Sequence, residues 1–130
     1  MTALTDNEIS KEVVDAAYRI HCALGPGLLE NVYGKTLAWE LEHRGLRVTR
    51  QAEIPVVYRG ERIETGFRAD LVVADQVIVE IKSVEFVLPV HKKQLLTYLR
   101  LADKRLGLLI NFHTVLIKDG ITRIANGTPC

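Results

Sequence analysis

Two apolar segments of the sequence each carry charged side chains that could perform chemistry. Asp70 lies within the segment 67–73, and Glu80 and Lys82 lie at the end of the segment 77–82. Both segments are rich in β-branched residues, a composition typical of strands, in which side chains alternate between the two faces. Glu80 and Lys82 therefore share one face of an otherwise apolar strand. Because buried charges are costly unless they are paired or bind a metal ion, this face is the first place to look for function.

Residues 74–76 can form a turn that folds the second segment back onto the first. A three-residue turn is a common hairpin length, and it would place Asp70 directly opposite Glu80 on the same face. A two-residue turn at 75–76 would pair Asp70 with Ile81 and put the two carboxylates on opposite faces. We predict the three-residue turn, or a bulge that gives the same arrangement.

Two converging carboxylates and a lysine form a candidate site for a hard cation. Mg²⁺ prefers oxygen ligands and keeps several of its water molecules. A neighbouring lysine could orient or deprotonate such a water, or stabilise developing negative charge. The alternative is a salt bridge near a strand end, because structural ion pairs are common and charge alone indicates function only statistically.

Helix signals occur in the first third of the chain. Thr5 and Glu8 match a capping box, which predicts the start of a first helix that ends at Gly25-Pro26-Gly27. A second helix is predicted from about residue 28 to 44, and Gly45 is suited to its C-terminal cap.

The rest of the chain predicts strands and a third helix at about 90–102. Pro55 indicates an edge strand or a strand start. Asp119-Gly120 is the strongest hairpin signal in the sequence. The other predicted strands are 46–50, 53–58, 62–67 leading into the Asp70 strand, 107–112, 115–118 and 121–124.

Glu30 lies at the head of an apolar stripe on the second predicted helix. Helical spacing puts it nearly in line with Leu37 and Leu41, with Tyr33 beside them. Glu30 is therefore not on the face opposite the apolar stripe. The alternative is an acidic first-turn residue that the helix dipole favours.

His91, Gln94 and Tyr98 share one face of the third predicted helix, because they are three and four residues apart. One interpretation is a tyrosine that packs by its ring, with a glutamine at the boundary of the core. The other is that this face lines a cleft beside Glu80 and Lys82, where it contacts substrate or holds the lysine.

Composition describes the setting of these residues. The 130-residue chain is 48% hydrophobic and 25% charged with a net charge of +1, which predicts one globular domain over residues 1–130. No apolar run reaches membrane-spanning length, and no signal-peptide pattern is present, so we expect a cytoplasmic protein without membrane contact. Cys22 and Cys130 suggest neither a metal cluster nor a disulfide framework. Basic residues within 43–68 and 83–105 either contact phosphates or are solvated.

Several of these residues together carry a family resemblance. Residues 27–33 match the pattern that names the GxxExxY protein family. Asp70, then 80–82, then 94–98 resemble the D…ExK…QxxxY series of PD-(D/E)XK nucleases of the RecB and lambda-exonuclease type. The segment 107–112 is similar to a late strand of that family. The resemblance covers nearly the whole chain, and its motifs occur in the expected order.

The resemblance implies an α/β (α+β) fold, with a central mixed β-sheet flanked by helices in a restriction-endonuclease-like core. In that superfamily the Asp and Glu hold Mg²⁺ or Mn²⁺ and the Lys positions the attacking water, roles that would fall to Asp70, Glu80 and Lys82. The helical glutamate of many members would be Glu30, and Ala69 stands where the superfamily name has proline.

These implications give a set of candidate residues and two classes of function. One hypothesis is a metal-dependent phosphodiesterase that acts on nucleic acid, with DNA favoured over RNA as the substrate. The other is a non-catalytic module on the same fold that binds nucleic acid or protein, and a homodimer or an unidentified protein partner is compatible with both. The candidate metal ligands are Asp70, Glu80, the Ile81 carbonyl and Glu30; Lys82 is the candidate catalytic lysine; Gln94, Tyr98 and His91 are the candidate substrate contacts.

Overall fold

The chain folds around one mixed sheet, which a computed structural model describes for residues 3–127 apart from the side chains of residues 65 and 66. The elements are α1 (Asp6–Leu24), α2 (Glu30–His43), β1 (Val48–Tyr58), β2 (Glu61–Val73), β3 (Val77–Lys82), α3 (Pro89–Ala102), β4 (Leu106–Asn111), a 3₁₀ helix (Ile117–Gly120) and β5 (Ile121–Ala125).

The five strands lie in the order β1-β2-β3-β4-β5. Neighbouring strands are antiparallel except β3 and β4, which run parallel. A parallel pair needs a crossover connection, and α3 supplies it. Helices α1 and α2 pack on one face of the sheet and α3 on the other. The predicted mixed sheet flanked by helices is therefore confirmed.

Two apolar cores result from this layering, and strand β3 contributes to both. Val77, Val79 and Ile81 pack against α1 and α2, whereas Ile78 packs against α3. All four side chains are almost fully buried. Burial of an aliphatic side chain contributes about 1.5–3 kcal/mol, so β3 is held firmly from both sides.

The predicted helix ends are confirmed. Thr5 and Glu8 form the reciprocal capping box, in which the Glu8 amide donates to the Thr5 hydroxyl at 3.2 Å and the Thr5 amide donates to the Glu8 carboxylate at 2.9 Å. Gly45 follows the C-cap of α2 with a φ of +86°, a conformation that glycine adopts without steric cost.

Strands β1 and β2 form a longer hairpin than the sequence predicts. The two strands predicted at 46–50 and 53–58 are one continuous strand, which turns at Arg59-Gly60 into an equally continuous β2. Pro55 lies in β1, an edge strand of the sheet, as its missing amide hydrogen favours.

The predicted hairpin around Asp119-Gly120 is wrong, because these residues end a 3₁₀ helix and only β5 follows. A Cβ atom on Gly120 would lie 2.1 Å from the carbonyl oxygen of Asn111. Glycine is thus needed here for a close approach between chain segments. The same dipeptide signals both situations in a sequence, and only the packing distinguishes them.

Candidate functional site

The turn between β2 and β3 decides whether the two carboxylates meet. Strand pairing runs from Val73–Val77 to Leu71–Val79, which leaves three residues, 74–76, in the turn. Continuing this register places Asp70 opposite Glu80. The predicted three-residue turn is therefore confirmed.

Regular pairing between β2 and β3 ends at Leu71–Val79, and beyond it the carboxylates replace the backbone ladder. The Ile81 amide donates to Oδ2 of Asp70 at 2.7 Å, and the Asp70 amide donates to Oε2 of Glu80 at 3.3 Å. We call this region, formed by Asp70, Glu80 and Ile81, the strand gap. In a strand the N–H and C=O of one residue point to the same edge, so the Ile81 carbonyl also faces the gap.

Glu80 is buried, with 8% of its surface exposed. Burial, a hydrogen bond with Asp70 and the Asp70 charge together raise the pKa of Glu80 from 4.5 to about 9, while the hydrogen bond from the Asp70 amide and the Lys82 ammonium partly oppose the shift. At neutral pH the Glu80 carboxyl group therefore carries a proton. A divalent cation could take the place of that proton, because it would neutralise both carboxylates, and oxygen donors are what Mg²⁺ and Mn²⁺ prefer.

Lys82 is the last residue of β3 and is half-buried on the same sheet face as Glu80. Its ammonium group acts on the pKa of Glu80, and within the described part of the chain it forms no salt bridge. Its backbone carbonyl accepts a hydrogen bond from the Phe112 amide at 2.9 Å. The backbone of this lysine is thus fixed, while its charge is free to act in the cleft.

Asn111 holds the chain that follows Lys82, a role that the sequence analysis missed. Its side chain is buried, accepts a hydrogen bond from the Val84 amide at 3.1 Å and donates to the Val84 carbonyl at 2.8 Å. Its oxygen also accepts from the His113 amide at 3.2 Å. A polar residue at the end of a fully buried strand is the one sequence signal that could have indicated it.

Asp70 lies where side-chain alternation in the hairpin is interrupted. Leu71 packs against α1 and α2, but Ala69, two residues earlier, packs against α3. Gln51 lies opposite Asp70, between the pairs Arg50–Leu71 and Ala52–Ala69, and has a φ of +50°. Positive φ is uncommon for residues other than glycine. The break turns Asp70 into the plane of the sheet, towards the Ile81 amide.

Glu30 begins α2, and its side chain is exposed at the edge of the strand gap. Its Oε2 accepts a hydrogen bond from the Ser83 amide at 3.3 Å, and the Ser83 hydroxyl donates to the Leu28 carbonyl at 2.7 Å. Glu30 also lines a cavity of about 190 Å³ together with Asp70 and Ile81. The start of α2 is thus attached to the chain just after Lys82.

Tyr33 stabilises the loop that precedes Glu30. Its ring stacks on Phe112 with the centroids 4.2 Å apart, and its side chain is fully buried. Its hydroxyl donates to the Gly25 carbonyl and accepts from the Leu28 amide at 3.1 Å. The glutamate and the tyrosine of this segment therefore have different tasks: Glu30 faces the cleft, and Tyr33 anchors the loop.

Of the three polar side chains predicted on α3, the structure brings Tyr98 to the carboxylates. Burial raises the pKa of the Tyr98 hydroxyl, and the charges of Glu80 and Asp70 add to the shift. Gln94 lies one turn earlier and is exposed. Nδ1 of His91 accepts a hydrogen bond from the Leu88 amide at 3.1 Å, which caps the first turn of α3.

The acidic residues do not form a closed metal cage. Among residues 3–127, no group of three or more Asp, Glu, His or Cys side chains is arranged to hold a metal ion. The donors that converge are the two carboxylates of the strand gap and the Ile81 carbonyl. This set fits Mg²⁺ or Mn²⁺, which retain several water ligands in protein sites. The described helices also include none that is long and apolar enough to cross a membrane.

In a comparison with protein-family models, residues 7–124 match the model of the PD-(D/E)XK nuclease superfamily. This match spans most of the chain, so the protein belongs to the PD-(D/E)XK nuclease superfamily. Searches of the curated proteins and of the solved structures gave no match. The superfamily and the fold inferred from the sequence motifs are confirmed, and the membership points to a nuclease-like function that generally uses divalent metals.

Proposed function

We propose that this protein is a metal-dependent nuclease that hydrolyses phosphodiester bonds of DNA. The single observation that carries the proposal is the meeting of the Asp70 and Glu80 carboxyl groups in the strand gap, where each accepts a hydrogen bond from a backbone amide of the opposite strand, with a lysine on the same sheet face as Glu80. A structural ion pair has no need of two adjoining carboxyl groups, one of them buried with a raised pKa. A cation-binding site does, because its ligands carry surplus negative charge until the ion binds.

The proposed mechanism assigns a task to each group. Asp70, Glu80 and the Ile81 carbonyl would hold Mg²⁺ or Mn²⁺, with Glu30 at the margin of the same site. The ion would supply Lewis-acid stabilisation of the negative charge that develops on the phosphate. Lys82 would orient the attacking water for in-line displacement and stabilise the developing charge.

The α3 face would contact the substrate. Tyr98, whose hydroxyl neighbours both carboxylates, would hold a phosphate oxygen or the lysine, with Gln94 and His91 on the substrate side of the same helix. Within the superfamily we assign the chain to the GxxExxY group, because Gly27, Glu30 and Tyr33 match its pattern.

A cleavage assay tests the proposal directly. Purified protein is incubated with single-stranded, duplex and branched DNA, and with RNA of the same sequence, in Mg²⁺, Mn²⁺ or chelator. The test variant is Lys82→Ala, and the matched control is Lys11→Ala, which removes an exposed lysine on α1. We expect cleavage that needs metal, is retained in the control and is lost in Lys82→Ala.

Two other outcomes of the cleavage assay would contradict the proposal. Equal cleavage by the parent and Lys82→Ala would rule out the proposed role of Lys82. Salt-sensitive DNA binding without cleavage of any substrate would favour the non-catalytic module.

A further inference from the structure

We propose that Arg50 and Asn31 form a phosphate-binding subsite beside the strand gap. The subsite would take a backbone phosphate next to the scissile one. The identity of this ligand as a nucleic-acid phosphate rests on the proposed function, whereas the existence of an anion site at this place rests on the contacts described below.

The subsite occupies the cavity of about 190 Å³ between α2 and the kinked part of the β1–β2 hairpin. Asp70 and Ile81 form one wall, so whatever fills the cavity touches the residues of the strand gap. Gly34 is buried at the α2 wall, and a Cβ atom there would meet no other atom within 4 Å. The cavity is lined by Glu30, Asn31, Gly34, Arg50, Gln51, Asp70 and Ile81.

The charge of Arg50 is not neutralised within the described residues. Its guanidinium group donates to Oδ1 of Asn31 at 3.3 Å and forms no salt bridge, although Glu30 and Asp70 line the same cavity. A guanidinium group has five donors in a planar fork that matches the oxygens of a phosphate.

Asn31 complements this donor set. Because Oδ1 of Asn31 accepts from Arg50, its amide nitrogen is the group left to donate. Arginine and amide donors on one cavity wall, facing carboxylates on another, are the combination expected where an anion bridges to a metal-binding site.

The backbone gives a second, independent indication. Gln51 has a φ of +50°, a conformation that costs free energy for a residue with a side chain and that clusters at functional sites. Regular alternation would put Arg50 and Ala52 on the same sheet face. Instead Arg50 reaches α2 while Ala52 packs on the α3 side. The strained residue therefore separates the arginine from the packed part of the hairpin and directs it into the cavity.

The position of the subsite sets the path of the substrate. Arg50 and Asn31 lie on the α2 side of the sheet, whereas Glu80, Lys82 and Tyr98 lie on the α3 side. A bound strand would thus cross the edge of the sheet at the strand gap, with adjacent phosphates held from opposite faces.

The test compares Arg50→Met with Arg47→Met, which removes an equally exposed arginine three residues earlier in the chain. DNA binding is measured by fluorescence anisotropy with Ca²⁺ in place of Mg²⁺, and cleavage kinetics are measured with Mg²⁺. Hydrogen bonds to charged groups are strong, so we expect Arg50→Met to weaken binding and raise KM by about 10- to 100-fold. We expect Arg47→Met to change either value by less than about threefold, and Arg50→Lys to restore part of the loss.

A scan with methylphosphonate substitutions then localises the contact. With the parent protein, neutralising the contacted phosphate should weaken binding, and with Arg50→Met the same substitution should have no further effect. Equal binding by Arg50→Met and Arg47→Met, or identical scans for parent and Arg50→Met, would overturn the subsite.

The two proposals fail in different ways. If the parent cleaves DNA and Arg50→Met behaves like its control, the nuclease proposal stands and the subsite falls. If the parent binds DNA through Arg50 but never cleaves, the subsite stands and the nuclease proposal falls.

Discussion

The β2–β3 hairpin has a closed end and an open end, and each contains an aspartate in a different setting. At the closed end the strands pair regularly up to Val73–Val77, and Asp75 in the exposed turn forms an ion pair with Lys104 at 3.2 Å. At the open end Asp70 takes the Ile81 amide away from the backbone ladder and meets a buried carboxyl group. Asp70 and Asp75 are the same residue type, so the difference between them comes from position: Asp70 lies where the backbone hydrogen-bond ladder between the strands ends.

The largest difference between the ends should be in catalysis. We expect Asp70→Asn to lower the rate of metal-dependent cleavage by about 1,000-fold, because the metal would lose an anionic ligand worth several kcal/mol in the transition state. Asp75→Asn should change the rate by less than about twofold, since exposed ion pairs contribute about 0–1 kcal/mol. Single-turnover cleavage and thermal unfolding of both variants are the measurements. Equal cleavage rates for the two variants would show that Asp70 has no catalytic role.

The second difference should be in the free energy of unfolding. Here a substitution in the regularly paired part of the hairpin should have a larger effect than one at the open end. Leu71 is fully buried where regular pairing ends, and we expect Leu71→Ala to lower the free energy of unfolding by about 2–5 kcal/mol. Lys82→Ala, at the open end, should lower it by less than about 0.5 kcal/mol because the ammonium group forms no ion pair among the described residues. Urea denaturation checks both values, and a large loss for Lys82→Ala would mean that the lysine is structural.

The third prediction concerns pH in the presence of a chelator. The pKa of Glu80 is raised to about 9 in the folded protein, from 4.5. The folded state therefore binds more protons than the unfolded state between these values, and stability should fall as the pH rises through that window. The slope should be about 1 kcal/mol per pH unit between pH 6 and 8.

Glu80→Gln should remove this slope, and Glu42→Gln, an exposed acidic residue on α2, should leave it unchanged. Urea denaturation at a series of pH values gives the measurement. A slope that persists in Glu80→Gln would show that another group titrates.

The smallest expected effect is a gain in stability. Gly34 lies within α2 and has open space beside it, so Gly34→Ala should stabilise the protein by about 0.5–1 kcal/mol. The methyl group would narrow the α2 side of the cavity without changing the hairpin. Thermal unfolding, with Gly27→Ala outside the helix as the comparison, would detect it; a lower melting temperature would mean that the cavity wall is tighter than described.

Much of the site could be predicted because its decisive features are local in sequence. The three-residue turn sets the register of Asp70 against Glu80, and alternation puts Glu80 and Lys82 on one face. Helical spacing likewise put Tyr98 on one face of α3 with His91 and Gln94, but it did not decide whether that face lines the cleft. The register and the alternation depend on the geometry of one short hairpin, so spacing alone was sufficient for them.

Other features depend on contacts between distant segments. Asn111 was missed because its partner, Val84, lies on a linker whose path is set by α3 and β4 together. The hairpin expected at Asp119-Gly120 was wrong because a glycine is needed at position 120 for another reason, the close approach of the Asn111 carbonyl oxygen. The residue types mark Asn111 as a polar residue at the end of an apolar strand, but they do not specify its partner or the close approach at Gly120.

The mixed sheet with its flanking helices was implied by the family resemblance. By itself the sequence determined the register of the β2–β3 hairpin and the meeting of Asp70 with Glu80. These follow from side-chain periodicity and turn length, which act within a segment. Only the tertiary structure decided that Gln51 adopts a positive φ, that Arg50 turns towards α2 and that Glu30 reaches the amide of Ser83. These features depend on how the helices and the β1–β2 hairpin pack against one another. The positive φ of Gln51 costs conformational free energy, and only the packing of the whole chain offsets that cost.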